Sequence, residues 1–116
     1  MAISVTNFTG TESVDVTEHS MTTDTAGPDT DTTVGCFQAF IDFNLVAAGD
    51  VFEFRVYEKA RAADTQRLVH YARIANAQAC PIYASPTLIL GAGWDMTLIK
   101  VTGTDRTITW SIRGVT

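Results

Sequence analysis

The stretch Gly91-Ala92-Gly93-Trp94-Asp95-Met96-Thr97-Leu98-Ile99-Lys100-Val101-Thr102-Gly103-Thr104-Asp105-Arg106-Thr107-Ile108-Thr109-Trp110-Ser111-Ile112-Arg113 decides the fold class. Its second half alternates apolar Ile108, Trp110 and Ile112 with polar Thr107, Thr109, Ser111 and Arg113. Period-2 alternation is the signature of a strand with one buried face. Thr102-Gly103-Thr104-Asp105 carries turn chemistry between the two runs. The expectation is a hairpin in which two tryptophan-bearing strands face each other. That reading predicts an all-β protein and leaves the chemistry open.

Upstream, the same alternation recurs. Phe37, Ala39, Ile41, Phe43 and Leu45 fall on one face of a predicted strand. Gln38, Asp42 and Asn44 fall on the other, with Phe40 interrupting the polar face. After Ala47-Ala48-Gly49-Asp50, Phe52, Phe54 and Val56 alternate with Glu53, Arg55 and Tyr57, as a hairpin partner or across a sheet-to-sheet corner. Burying each phenylalanine contributes about 1.5–3 kcal/mol. Residues 59–66 read as an exposed connection. Arg67 to Asn76 reads as a strand with Leu68, His70, Ala72 and Ile74 on one face. Pro81 and Pro86 bracket a short edge segment at Ile82-Tyr83, because proline cannot donate to a ladder. Thr87 to Leu90 reads as a short buried strand. About seven or eight short strands at this spacing predict a single-domain antiparallel β-sandwich, jelly-roll-like.

Residues 1–33 differ in character. They hold ten threonines and few large apolar groups, with Ile3, Val5, Val14 and Val16 in two short alternating segments. Threonine suits a half-exposed pleated surface. The division is therefore a threonine-rich acidic N-terminal arm or set of edge strands (1–33) and a sandwich core (34–116).

Charge is unevenly distributed. Residues 1–54 carry nine acids and no lysine or arginine, whereas all eight basic residues lie from Arg55 onward. Folding could interleave the halves. Alternatively Glu12, Asp15, Glu18, Asp24, Asp29 and Asp31 form a partner-binding acidic arm, docking on a basic surface such as a neighbouring copy. The net charge of −5 argues against nucleic acid, whose phosphates repel an acidic body. No apolar run approaches the roughly 18 residues that span a bilayer, and Met1-Ala2-Ile3-Ser4-Val5 lacks the pattern of a signal peptide.

Candidate chemistry is sparse. His19 and His70 lack a paired nucleophile, and Gly91-Ala92-Gly93 lacks the helix and lysine of a phosphate cradle, so no enzyme activity and no cofactor are expected. Asp24, Asp29 and Asp31 do not match a calcium loop and read as turn residues. Cys36 and Cys80 read as two free thiols acting as small core residues. Tyr57, Tyr71, Tyr83, Trp94 and Trp110 are candidates for a sugar-stacking platform, with core packing as the plainer role for the tryptophans.

Phe52-Glu53-Phe54-Arg55-Val56-Tyr57-Glu58-Lys59, Gly91 to Leu98 and Gly103 to Arg113 together resemble small virion proteins of tailed bacteriophages. The resemblance spans residues 34–115 and leaves the threonine-rich part unmatched. It implies a structural protein that decorates and cements the capsid by binding the major capsid protein. The expected form is a homotrimer on the outer surface of the virion, assembled in the host cytoplasm. The alternative it leaves is a host-attachment or carbohydrate-binding module on tail, collar or capsid, with a host-surface glycan as ligand.

Overall fold

Ten strands form in the computed structural model, which describes residues 5–115, with side chains from residue 7 onward. They are β1 (Val5–Val14), β2 (His19–Ser20), β3 (Thr25–Ala26), β4 (Gly35–Asp42), β5 (Val51–Glu58), β6 (Arg67–Ala75), β7 (Ile82–Ala84), β8 (Leu88–Leu90), β9 (Asp95–Thr102) and β10 (Arg106–Val115). A front sheet runs β1-β10-β4-β7, with β8 also on β4 beside β7, and a back sheet runs β3-β2-β9-β5-β6. Every pairing is antiparallel. The chain is an all-β, two-sheet sandwich.

The alternating faces meet between the sheets. Phe37, Ala39 and Ile41 of β4 and Ile108, Trp110 and Ile112 of β10 are buried from the front. Phe52, Phe54 and Val56 of β5 and Met96 and Leu98 of β9 oppose them from the back. Trp94 and Phe37 lie with ring centroids 4.5 Å apart, and Phe8 meets the Trp94 edge at 5.8 Å. Each indole N–H also finds an acceptor: Trp94 Nε1 donates to the Thr33 carbonyl at 2.9 Å, and Trp110 Nε1 to the Met21 carbonyl at 3.0 Å.

Several expectations are corrected. The two tryptophan strands are not a hairpin: β9 pairs with β2 and β5, β10 with β1 and β4. The Thr102–Asp105 turn instead carries the chain from one sheet to the other, and β4 to β5 is likewise a corner. Leu45 is exposed, because β4 ends at Asp42, whose Oδ1 accepts from Asn44 N–H and turns the backbone; Val46 enters the core in its place. Leu68 leaves the inner face because the β5–β6 register shifts. Val56 lies opposite His70 and Tyr57 opposite Leu68, so Val69 has no opposite residue. In β8 only Leu90 is buried; Ile89 is 84% exposed. Cys36 and Cys80 are free but exposed, Cys36 because it falls on the outward parity of β4.

The N-terminal segment belongs to the sandwich. β1 pairs with β10 through ten consecutive residues, and Val14 and Met21 are fully enclosed. Of the two forms expected for it, β1 takes the edge-strand one, laddered along β10. Ile3 and the side chain of Val5 lie outside the described residues.

Candidate interaction face

The outer faces of the two sheets differ in chemistry. On the back sheet, Glu53, Arg55 and Tyr57 alternate outward along β5, and Glu18, after β1, closes over them. Glu18 accepts from the Tyr57 hydroxyl at 2.6 Å, from Thr97 Oγ1 and from Arg55 Nη1 at 3.3 Å. Arg55 Nε donates to Glu53 Oε1 at 2.7 Å, and Arg73 reaches the other oxygen at 3.4 Å. The Arg55 hydrogen bond holds the Glu53 carboxyl below its ordinary range. Burial, then the Glu18 carboxylate, pushes the Tyr57 phenol up. This surface consumes its own charges.

The front sheet's outer face is different. Outward positions line up in rows across the strands: Val115, Cys36 and Ile89; then Arg113 and Gln38; then Ser111, Phe40 and Ala84; then Thr109, Asp42 and Ile82. Directly opposite residues sit about 4.5–5.5 Å apart at Cβ, so Val115, Cys36 and Ile89 adjoin one another and Phe40 adjoins Ala84, with Arg113 and Gln38 between the two groups. Ile82 is 59% and Val115 49% exposed. Phe40 is half-buried, with the Arg113 guanidinium carbon 4.0 Å above its ring centroid. Two shallow depressions of about 340 and 250 Å³ share Phe40 and Arg113 in their walls. Alternation along the strands does not by itself single out this face. Its signal was present in Phe40, the one apolar residue on the polar side of β4.

The six acids proposed as partner contacts are dispersed. Glu18 is tied into the back-sheet network. Asp31 accepts from Thr33 N–H at 2.7 Å and exchanges backbone hydrogen bonds with Trp94. Asp29 accepts from Thr23 Oγ1 at 2.6 Å, while its own N–H donates to the fully buried Asp95 at 2.8 Å. Thr22 Oγ1 supplies Asp95 with a second donor at 2.7 Å. Neutral donors alone satisfy that carboxylate, and burial pushes its pKa up. Glu12, Asp15 and Asp24 remain near the surface. Glu12 and Asp15, with Glu18 and His19, line a groove of about 230 Å³.

His19 is 8% exposed and lies between two carboxylates, with Nε2 2.7 Å from Asp24 and Nδ1 3.6 Å from Glu12. Sequence patterning gives His19 no partner, because Asp24 and Glu12, five and seven residues away, lie on other segments. His70 packs edge-on to Phe54, with Nε2 enclosed and without a hydrogen-bond partner among the described residues. Burial of Trp94 and Trp110 removes both indoles as sugar-stacking surfaces. Tyr71 is exposed on β6, beside Leu68 and Val69.

The chain matches no protein-family model, no curated protein and no solved structure.

Proposed function

We propose that this chain is a non-enzymatic structural protein of a tailed-phage virion. It decorates and stabilises the outer capsid surface by binding the major capsid protein through the front-sheet face around Phe40. The observation that carries the reading is that face: exposed Val115, Ile89 and Ile82 with half-buried Phe40 on the outside of the front sheet, since exposed apolar patches mark interaction sites. The resemblance of β5, β9 and β10 to phage virion proteins supplies the partner class, and the jelly-roll-like form expected from the strand spacing suits it. A repeating shell adds avidity to a modest single contact.

A homotrimer fits the sheet edges. Among the described residues β1 and β6 each leave one long edge unpaired, of ten and nine residues. Glu12 and Asp15 lie at the end of the first, whereas Arg67 and Arg73 lie on the second. Head-to-tail pairing of β1 with a neighbour's β6 is heterologous, and such a contact makes a ring when its rotation closes, a trimer requiring about 120° per copy. The surviving acids of the N-terminal segment then act between copies.

Adding Phe40→Glu and Ile89→Asp variants back to undecorated capsids tests the docking face. Loss of binding by folded variants supports it; undiminished binding rejects it. Native mass spectrometry checks the trimer separately.

A further inference from the structure

Glu12 comes from β1 of the front sheet, His19 from β2 of the back sheet, and Asp24 from the turn that follows β2. One ring nitrogen and one oxygen from each carboxylate lie within 4.8 Å of one another. We propose that these three side chains bind a divalent cation of the zinc class, which thereby bridges the two sheets.

The donor set selects the ion. An imidazole nitrogen with two carboxylate oxygens suits zinc, whereas calcium prefers an all-oxygen shell. Tetrahedral zinc with these ligands needs donor atoms about 3.3 Å apart. Asp24 stands 2.7 Å from Nε2 and Glu12 3.6 Å from Nδ1, so an ion on one ring nitrogen requires the carboxylate facing the other to swing round. Their exposure leaves room for it: the Glu12 and Asp24 side chains are 42% and 48% exposed, against 10% for His19. The imidazole is the fixed ligand, held edge-on against Trp110 with ring centroids 5.6 Å apart. The adjoining groove, where Asp15 and Glu18 add further negative charge, has room for water in the remaining coordination position.

Charge points the same way. Among the described residues neither Glu12 nor Asp24 pairs with a lysine or arginine; His19 is their shared partner. Arg55 is the cation paired with Glu18 on the groove wall, and it is also engaged by Glu53. A bound dication compensates carboxylates that the body leaves unpaired. It requires the neutral imidazole, so binding releases any proton His19 carries.

The test uses the isolated full chain, so it stands or falls independently of the capsid reading. Exposed Cys36 and Cys80 are first changed to serine, because thiolates bind zinc. The chelator-treated protein is titrated with ZnCl2 by calorimetry at about pH 7.5, where imidazole is available as a ligand, while NMR follows both histidine rings. The expected result is saturation at one ion per chain, with affinity reduced about tenfold or more in Glu12→Gln and in Asp24→Asn. Asp15→Asn binds as the parent does, and the His19 resonances shift while those of His70 stay. Absence of saturable binding, equal affinity in the Glu12 and Asp24 variants, or a response centred on His70 overturns the proposal.

Discussion

Arg106 Nε donates to Asp50 Oδ2 at 2.7 Å, joining the first residue of β10 to the turn that opens β5. The same carboxylate accepts from Ala47 N–H and Thr104 N–H, both at 2.9 Å, and the Asp50 carbonyl accepts from Asn76 N–H. One aspartate therefore fastens two of the sheet-to-sheet crossings, β4 to β5 and β9 to β10, and the end of β6. Those two backbone donors and Arg106 hold its pKa at about 2.

Because Asp50 is depressed in the folded protein, its contribution to stability is present above the unfolded value of 3.8. It is lost as pH falls from there toward about 2. The stability gap between parent and Asp50→Asn, measured by urea unfolding, should be full at neutral pH and close on acidification.

Asp95 should behave in the opposite sense. Burial raises its pKa, so its contribution is fully present below 3.8 and is lost as pH rises through the raised value. The stability of the parent relative to Asp95→Asn should therefore decline from about pH 4 toward neutrality. A gap that widens over that interval contradicts the assignment.

Gly103 has φ +98°, and a Cβ there would come 2.6 Å from the Asp50 Cα. Gly103→Ala should cost at least about 1–3 kcal/mol, from backbone strain with the collision added. Thermal unfolding of the variant measures it. A neutral result would mean that the crossing turn rearranges freely.

Trp110 lies over Gly10, its register partner, where a Cβ would come within 2.9 Å of the indole Cε2. Trp110→Ala removes this packing together with the hydrogen bond to Met21, and should cost about 3–5 kcal/mol. Trp110→Phe should cost less but more than zero, because it leaves the Met21 carbonyl without its donor. Urea melts of the pair separate the two contributions.

Both thiols should react with a small disulfide reagent in the native protein, without prior denaturation, since Cys36 and Cys80 are exposed. Two equivalents released before unfolding is the expected count. Protection of either thiol would place it in an interface between copies.

Interleaving of the charged halves shows where sequence reasoning stops. The acids before Arg55 and the bases after it form a legible asymmetry, and both a solvated arm and a folded seam satisfy it. The seam forms because Glu18 meets Arg55 and Tyr57, thirty-seven and thirty-nine positions away. Asp50 similarly meets Arg106 at fifty-six positions. No local pattern encodes separations of that size.

The sequence by itself determined the all-β class and the buried sides of β4, β5 and β10. Alternation reports which face of a strand avoids water, and Phe37, Ile41, Phe52, Phe54, Ile108, Trp110 and Ile112 all lie inside accordingly. Only the tertiary structure decided which strands are neighbours. A turn such as Thr102–Asp105 serves a hairpin or a crossing equally well, and the choice falls to long-range ladders and packing. The ladder of β10 along β1 and β4 put Trp110 in the front sheet, while Trp94 stands just ahead of β9, bridged to Asp31. It also placed Phe40 on the outer face, and it drew Glu12 to the side of His19 through a contact that exists only once both sheets have closed.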